Sequence, residues 1–292
     1  MPSITVTKNL VRELIVSRSA KRMPEPDLIM DDPDKVAAYT DAGRVKGVMA
    51  PVYLFHCAQI SSVIRPGDRV IDLGCGPATQ LGLVAQVNPE CDFIGIDLSN
   101  EMLGKARTYI DDMGLSNVSF QHGDITQLTS IEDQSVDAVM STVVLHHLPD
   151  TEALERVFAE IKRVLKPGGG LYIVDFGHLK SESSIHDFAY QYADRQAELF
   201  TLDYLYSLQA AFWKEDFQHV QQKHLADEAS LYSTFLVPFM VAVKSQPRRE
   251  PTRDILDKLA LLVAEMPDYH KTDLKDLRTF FGFGGLKSPF LG

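Results

Sequence analysis

"VIDLGCGPATQ", residues 70–80, decides how the rest of the chain is read. An apolar, β-branched run carries an acid, Asp72, and Gly74 and Gly76 follow within four residues. Glycines after a first strand let the backbone approach a ligand with little steric cost. Many nucleotide sites share such a turn, so the turn alone does not choose among them. A dinucleotide fold would carry G-x-G-x-x-G. Thr79 stands where the third glycine would be, and the fit to that fingerprint is poor.

Around this turn, strand and helix patterns alternate. Residues 69–74, 92–99, 118–124, 135–142 and 171–176 are short, apolar, strand-like runs. Between them lie helical patterns at 78–87, 99–114 and 151–166. Ser99 is the expected cap of the second, with Met102, Leu103, Ala106 and Ile110 on one face. "PGGG" at 167–170 is expected to stop the third. Upstream, Asp32 and Pro33 open one helix and residues 47–63 form another. Residues 1–30, polar and containing Pro24 and Pro26, read as a loose arm. Residues 229–245 read as a final hairpin. The expected fold is α/β, a Rossmann-like parallel sheet with a terminal antiparallel hairpin and helices on both faces. A helical lid insertion and a helical C-terminal extension complete it. The expected division is an arm and cap helix (1–55), a cofactor-binding core (56–177), a lid (178–213), the end of the core (214–245) and the extension (246–292).

Composition removes several function classes. The 292 residues are 45% hydrophobic, yet no apolar run reaches the roughly 20 residues that span a bilayer. The N-terminus has no long apolar core followed by small residues, so no secretory signal is expected. Cys57, Cys75 and Cys91 are too few and too scattered for a disulfide framework or a CxxC zinc site. A reducing cytoplasm fits, and no metal is expected. The formal charge of −11 opposes phosphate binding and makes nucleic acid an unfavoured partner.

Three acids carry the chemistry. Asp72, Asp97 and Asp124 end successive strands, and the carboxyl ends of adjacent strands face one crevice in this kind of sheet. Three carboxylates suit a ligand with hydroxyls, an exocyclic amine and a positive charge, and they would repel a pyrophosphate. Together "VIDLGCGPAT", "FIGIDLSNEML", "VSFQHGDI", "SVDAVMSTVVLHHLPD" and "IKRVLKPGGGLYIVD" resemble the class I S-adenosylmethionine-dependent methyltransferases. The segments stand in family order over residues 66–176, nearest the ubiquinone and menaquinone branch. One departure is Ala78, where the family has its third motif glycine.

The resemblance implies S-adenosyl-L-methionine as cofactor and assigns roles by position. Gly74 and Gly76 pass under the methionine part, with Asp72 and the Ser141 carbonyl near its ammonium. Asp97 accepts from the ribose hydroxyls. Leu98 and Met102 sandwich the adenine, Asp124 accepts from its amino group and Ile125 supplies backbone. Met102 reads equally as core, and Cys75 as a small packed residue.

Transfer from an activated sulfonium needs alignment and a dry site before it needs a base. His146 and His147, just beyond the fourth strand, are candidates if a base is used, as is Tyr39 on the N-terminal helix. "LHHLPD" also reads as a structural turn, and Tyr39 as core. Asp175 and His178 are further candidates. Residues 188–213 hold eight aromatics, among them Tyr192, Tyr204 and Tyr206. They read as a pocket for a small-molecule acceptor, or as lid packing or a homodimer contact. The expected function is small-molecule methylation by direct displacement at the sulfonium methyl. The alternatives are a protein or nucleic-acid methyltransferase and a non-catalytic cofactor-binding protein. The [DN]-P-P-[YF] signature of amine-methylating enzymes is absent after the fourth strand, where "STVVLHHLPD" stands.

Overall fold

The computed structural model describes residues 4–25, 32–43 and 47–291, with backbone alone for 4–7, 33–35, 38 and 39. Its centre is a sheet of seven strands: β1 (Arg69–Leu73), β2 (Asp92–Asp97), β3 (Val118–His122), β4 (Val136–Thr142), β5 (Leu165–Phe176), β6 (Ala229–Ser233) and β7 (Met240–Ser245). The order is β3-β2-β1-β4-β5-β7-β6, and β7 alone runs antiparallel to its neighbours. The strand order reverses between β1 and β4, and a crevice opens at the carboxyl ends there.

Alternation along the strands builds two apolar layers. In β5, Tyr172 and Val174 face one layer while Leu171 and Ile173 face the other. The first layer packs on α3 (Ala50–Val63), α4 (Thr79–Val87) and α5 (Asn100–Asp112) through Leu54, Leu81 and Leu103. The second packs on α6 (Thr151–Val164) and α9 (Lys214–Leu225) through Leu154, Phe158 and Phe217. Ser99 caps α5 by accepting from Met102 N at 3.1 Å, as expected. Strand β5 begins six residues before residue 171, because Leu165 already pairs with Val136. The "PGGG" run therefore lies inside the strand, and α6 stops at Val164.

The described part of the N-terminal arm, residues 4–25, is not loose. Residues Ile4–Ile15 form α1, and the chain to Glu25 is tied down by polar contacts. The buried Glu13 carboxylate accepts from Lys180 N at 2.7 Å, and Arg12 pairs with Asp187 at 2.8 Å. Arg22 donates to the carbonyls of Ala210 and Pro149 and lies 3.9 Å over the Phe212 ring. A polar segment looks unstructured in sequence when its anchors are hydrogen bonds rather than an apolar stripe. Helix α2 (Pro33–Gly43) comes next, opening at Pro33 as expected.

Helices α7 (Glu182–Ala189) and α8 (Glu198–Ala210) stand between β5 and α9. After β7 come α10 (Arg253–Glu265) and α11 (Asp268–Phe283). Of Ile255, Leu259, Leu262, Val263 and Met266, which the spacing places on one helical face, Ile255, Leu259 and Met266 are buried and Leu262 and Val263 half-buried. The tail is covered too: Phe281, Leu286 and Phe290 are buried and Phe281 stacks on Phe55, while Phe283 is exposed. No described helix is long and apolar enough to cross a membrane.

Lys244 on β7 is buried opposite Tyr172, and its ammonium donates to Gln59 Oε1. Burial lowers its pKa from 10.5 to about 8. Between those values the unfolded chain holds the extra proton, so this group adds stability as pH rises from about 8 to 10.5. The full shift corresponds to on the order of 3 kcal/mol. Urea unfolding at pH 7.5 and pH 10 should show the native chain gaining on Lys244→Met by up to about that amount. A difference independent of pH would contradict it.

Candidate active site

The turn after β1 supplies the floor. Gly74 takes φ +70°, and a Cβ there would stand 2.3 Å from Val144 Cγ2. Gly76 takes φ +50°, and a Cβ there would meet nothing within 4 Å, so it would project into open space. Ala78 adopts φ 60° just before α4. Glycine adopts that left-handed conformation freely and alanine at a cost of about 1 kcal/mol, so this position would favour a glycine.

Asp97 joins the turn to the next strand. Its Oδ2 accepts from Gly76 N at 2.8 Å and its Oδ1 from Ser99 N at 2.9 Å. Burial raises its pKa, against those two donors. Each carboxylate oxygen has a second lone pair for a ligand hydroxyl. Asp72 is buried, and burial together with the charge of Asp97 raises its pKa well above the ordinary carboxylate value.

Beside Asp72 is a small hollow of about 20 Å³ bounded by Tyr53, Thr79, Gln80 and Thr142. Gln80 Nε2 and Oε1, Thr79 Oγ1 and Thr142 Oγ1 are buried there without hydrogen-bond partners. Such groups cost about 1–3 kcal/mol each unless a ligand satisfies them. They offer both donors and acceptors, and Asp72 adds a carboxyl. An amino-acid end, with its ammonium and carboxylate, fits that set.

A cavity of about 200 Å³ opens from the same glycines. Gly74, Gly76, Asp97, Leu98, Met102, Asp124 and Ile125 all line it. Asp124 lies two residues past β3, exposed, with Oδ1 accepting from Thr126 N and Oγ1 at 2.7 and 2.8 Å. Ser141 lines neither space: its hydroxyl donates to Leu73 O at 2.8 Å inside the sheet. Its neighbour Thr142 reaches the hollow instead. Gln80, Thr79 and Thr142 were missed in the sequence because single polar residues beside a glycine turn carry no pattern of their own.

The loop after β4 forms one wall. Val143 takes φ 57°, a strained conformation for a β-branched residue. The buried Asp175 carboxylate holds the next three residues of the loop. Its Oδ2 accepts from Val144 N and His146 N, both at 3.1 Å. Its Oδ1 lies 2.7 Å from His146 Nδ1 and accepts from Phe176 N at 2.6 Å. His146 is 2% exposed and lines neither this cavity nor the hollow beside Asp72, so its ring does not touch a ligand in them directly, as the expected base would. Burial opposes a charge on its ring, but Asp175 and Glu25 outweigh that and its pKa is raised. His147, next to it, is the histidine that faces the cavity. His178 also stays off the cavities: it stacks on Trp213 and donates from Nδ1 to Leu179 O.

A second cavity, of about 350 Å³, lies over the ends of β5 and β7. Tyr192 from the turn between α7 and α8, and Phe200 and Tyr204 from α8, line it, with Phe176, Phe239 and Met240 below. Val52 at the start of α3 faces this cavity, and the following Tyr53 faces the hollow beside Asp72. The two spaces thus lie on either side of the first turn of α3. Tyr206 points elsewhere and is 45% exposed. Tyr39 sits on α2, but its side chain lies outside the described residues. The far wall comes from α11, where Tyr269, Asp273, Asp276, Leu277 and Phe280 face the cavity. Tyr192 Oη donates to Asp273 Oδ1 at 2.9 Å. Those α11 positions recur at helical spacing, a legible signal that the sequence reading left unused.

Residues 64–228 match a family model described as a methyltransferase domain. The chain belongs to that family, and its fold is that of the S-adenosylmethionine-dependent methyltransferases. It is 33% identical over 181 residues to an arsenite methyltransferase of Aquipseudomonas alcaligenes, covering 58% of this chain and 47% of that one. It is 37% identical over 109 residues to a trans-aconitate 2-methyltransferase of Deinococcus radiodurans, covering 37% of this chain and 38% of that one. The chain thus spans less than half the length of these curated relatives. A methyltransferase structure from Aquifex aeolicus matches with a TM-score of 0.52 at 18% identity, covering 74% of this chain and 98% of that one. The plantazolicin methyltransferase BpumL in complex with SAH matches with a TM-score of 0.54 at 16% identity, covering 91% and 92%.

Asp97→Ala should weaken S-adenosylhomocysteine binding by about 1–3 kcal/mol, because it removes the acceptor of the glycine turn and of the ligand. Calorimetry reads the loss. An unchanged affinity would place the ligand elsewhere.

Proposed function

We propose that this chain transfers a methyl group from S-adenosyl-L-methionine to a small molecule held in the larger cavity. The observation that carries the reading is the pairing of two unlike spaces across the first turn of α3. One side offers buried, unpartnered polar atoms around Asp72. The other is a mainly aromatic and aliphatic cavity whose volume, about 350 Å³, falls in the range of small-molecule sites.

Bound S-adenosylmethionine supplies a methyl on a sulfonium, which leaves its bonding pair on sulfur when an acceptor displaces it. The chain's own residues do the rest. Asp72, Gln80 and Thr142 hold the amino-acid end, and Asp97 holds the ribose. Leu98, Met102 and Ile125 enclose the adenine with Asp124 at its edge. Tyr192, Tyr204 and Phe200 bring the acceptor up and exclude water.

Arsenite, which the Aquipseudomonas relative's name gives as its substrate, suits this chain poorly. Its three thiols are free and buried, Cys57 on α3, Cys75 in the glycine turn and Cys91 just before β2. Burial pushes Cys57 and Cys91 up to about 12, away from the thiolate form. The net charge of −11 weighs against a nucleic-acid acceptor. A cytoplasmic location belongs to the same reading and is supported by those reduced thiols.

A mass-spectrometric screen of small molecules with cofactor should find an acceptor that gains one methyl. Tyr204→Ala should then raise acceptor KM or lower kcat about tenfold, the loss of one aromatic contact. Affinity for S-adenosylhomocysteine should stay within about twofold of the native value. Tyr206→Ala should change neither. Parallel loss of cofactor binding in Tyr204→Ala would contradict the assignment of the cavity.

A further inference from the structure

We propose that Glu25, His146 and His147 form a site for one divalent transition-metal ion, standing between the two cavities. Their ligand atoms all lie within 4.8 Å of one another. Glu25 arrives from the N-terminal arm, and the two histidines from the loop after β4.

The contacts within the trio are poor as hydrogen bonds. His147 Nδ1 is 2.9 Å from Glu25 Oε2, close enough to hold the carboxylate charged but off the direction of a well-formed hydrogen bond. His146 Nε2 is 3.8 Å from Glu25 Oε1, beyond hydrogen-bond range. Two ring nitrogens thus converge on one carboxylate and neither bonds it well. Donors around a tetrahedral ion are about 3.4 Å apart when each is about 2.1 Å from the metal. The observed separations straddle that spacing.

The surroundings are those of a metal centre. His146 Nδ1 is held at 2.7 Å by Asp175, which fixes the ring and leaves Nε2 for the ion. Ser207 Oγ donates to Glu25 Oε1 at 3.0 Å and orients the carboxylate. Asp175 and Glu25 make the field around His146 favour positive charge. Two histidines and one carboxylate leave coordination positions open.

The location gives those positions a use. His147 lines the cofactor cavity. The His146 ring lies 5.4 Å from Phe176, which lines the larger cavity. Resting on the function proposed above, the ion would hold a hydroxyl or carboxylate oxygen of the acceptor beside the transferring methyl. The acceptor class is then an oxygen-bearing small molecule.

The test is titration of the chelator-treated protein with Co²⁺, read by visible absorption, and with Zn²⁺, read by calorimetry. One equivalent should bind, and Glu25→Gln and His147→Asn should each weaken binding at least tenfold. Thermal unfolding of both variants should stay close to native, and so should the S-adenosylhomocysteine affinity of Glu25→Gln, whose residue lines neither cavity. That retained affinity separates failure of the metal site from failure of the cofactor reading. Absence of stoichiometric Co²⁺ binding, or equal binding by a folded Glu25→Gln protein, would overturn the proposal.

Discussion

One buried carboxylate organises the ligand-facing edge of this molecule. Asp175, near the end of β5, takes the backbone N–H groups of Val144, His146 and Phe176 and the ring nitrogen of His146. An unpaired buried charge would be costly, and these contacts remove that cost. In return they hold the loop after β4 in a shape it would not choose alone, with Val143 at positive φ. Val144 then fits against Gly74, and His147 faces the cavity. The floor and the wall of the cofactor cleft are positioned by one interaction between adjacent strands.

The outer segments close around that edge. Arg22 reaches the carbonyls of the same loop, at His146 and Pro149. Glu13 fastens the arm to the start of the lid at Lys180. The lid in turn meets α11 through Tyr192 and Asp273. The segment after β5 and the C-terminal helix α11 thus wall the space next to the cleft, and the arm braces them from outside. Specificity in a widely shared fold resides in such added parts.

The central sheet was legible because its signals are local and repeated. Five short apolar runs, two glycines after the first and an acid at the end of each of the first three define a sheet and a cleft from sequence. Asp72, Gly74, Gly76, Asp97 and Asp124 all stand at the cleft or the hollow beside it. The failures share a cause, which is that they depend on long-range contacts. Whether His146 or His147 faces the cavity is decided by Asp175, about thirty positions away in sequence. Tyr206 looked like its neighbour Tyr204, but the two lie on different faces of α8. The arm looked loose because its anchors are charged side chains seeking distant carbonyls. The helical face of α11 was visible, but the cavity it borders was not.

The most direct measurement is S-adenosylhomocysteine affinity in Asp175→Asn, taken by calorimetry alongside thermal unfolding. The amide turns an acceptor oxygen into a donor and sets it against the N–H groups of the loop. If Asp175 shapes the cleft, affinity should fall at least tenfold, about 1.4 kcal/mol, in a protein that still folds. A folded Asp175→Asn protein that binds the ligand as tightly as the native chain would contradict this account.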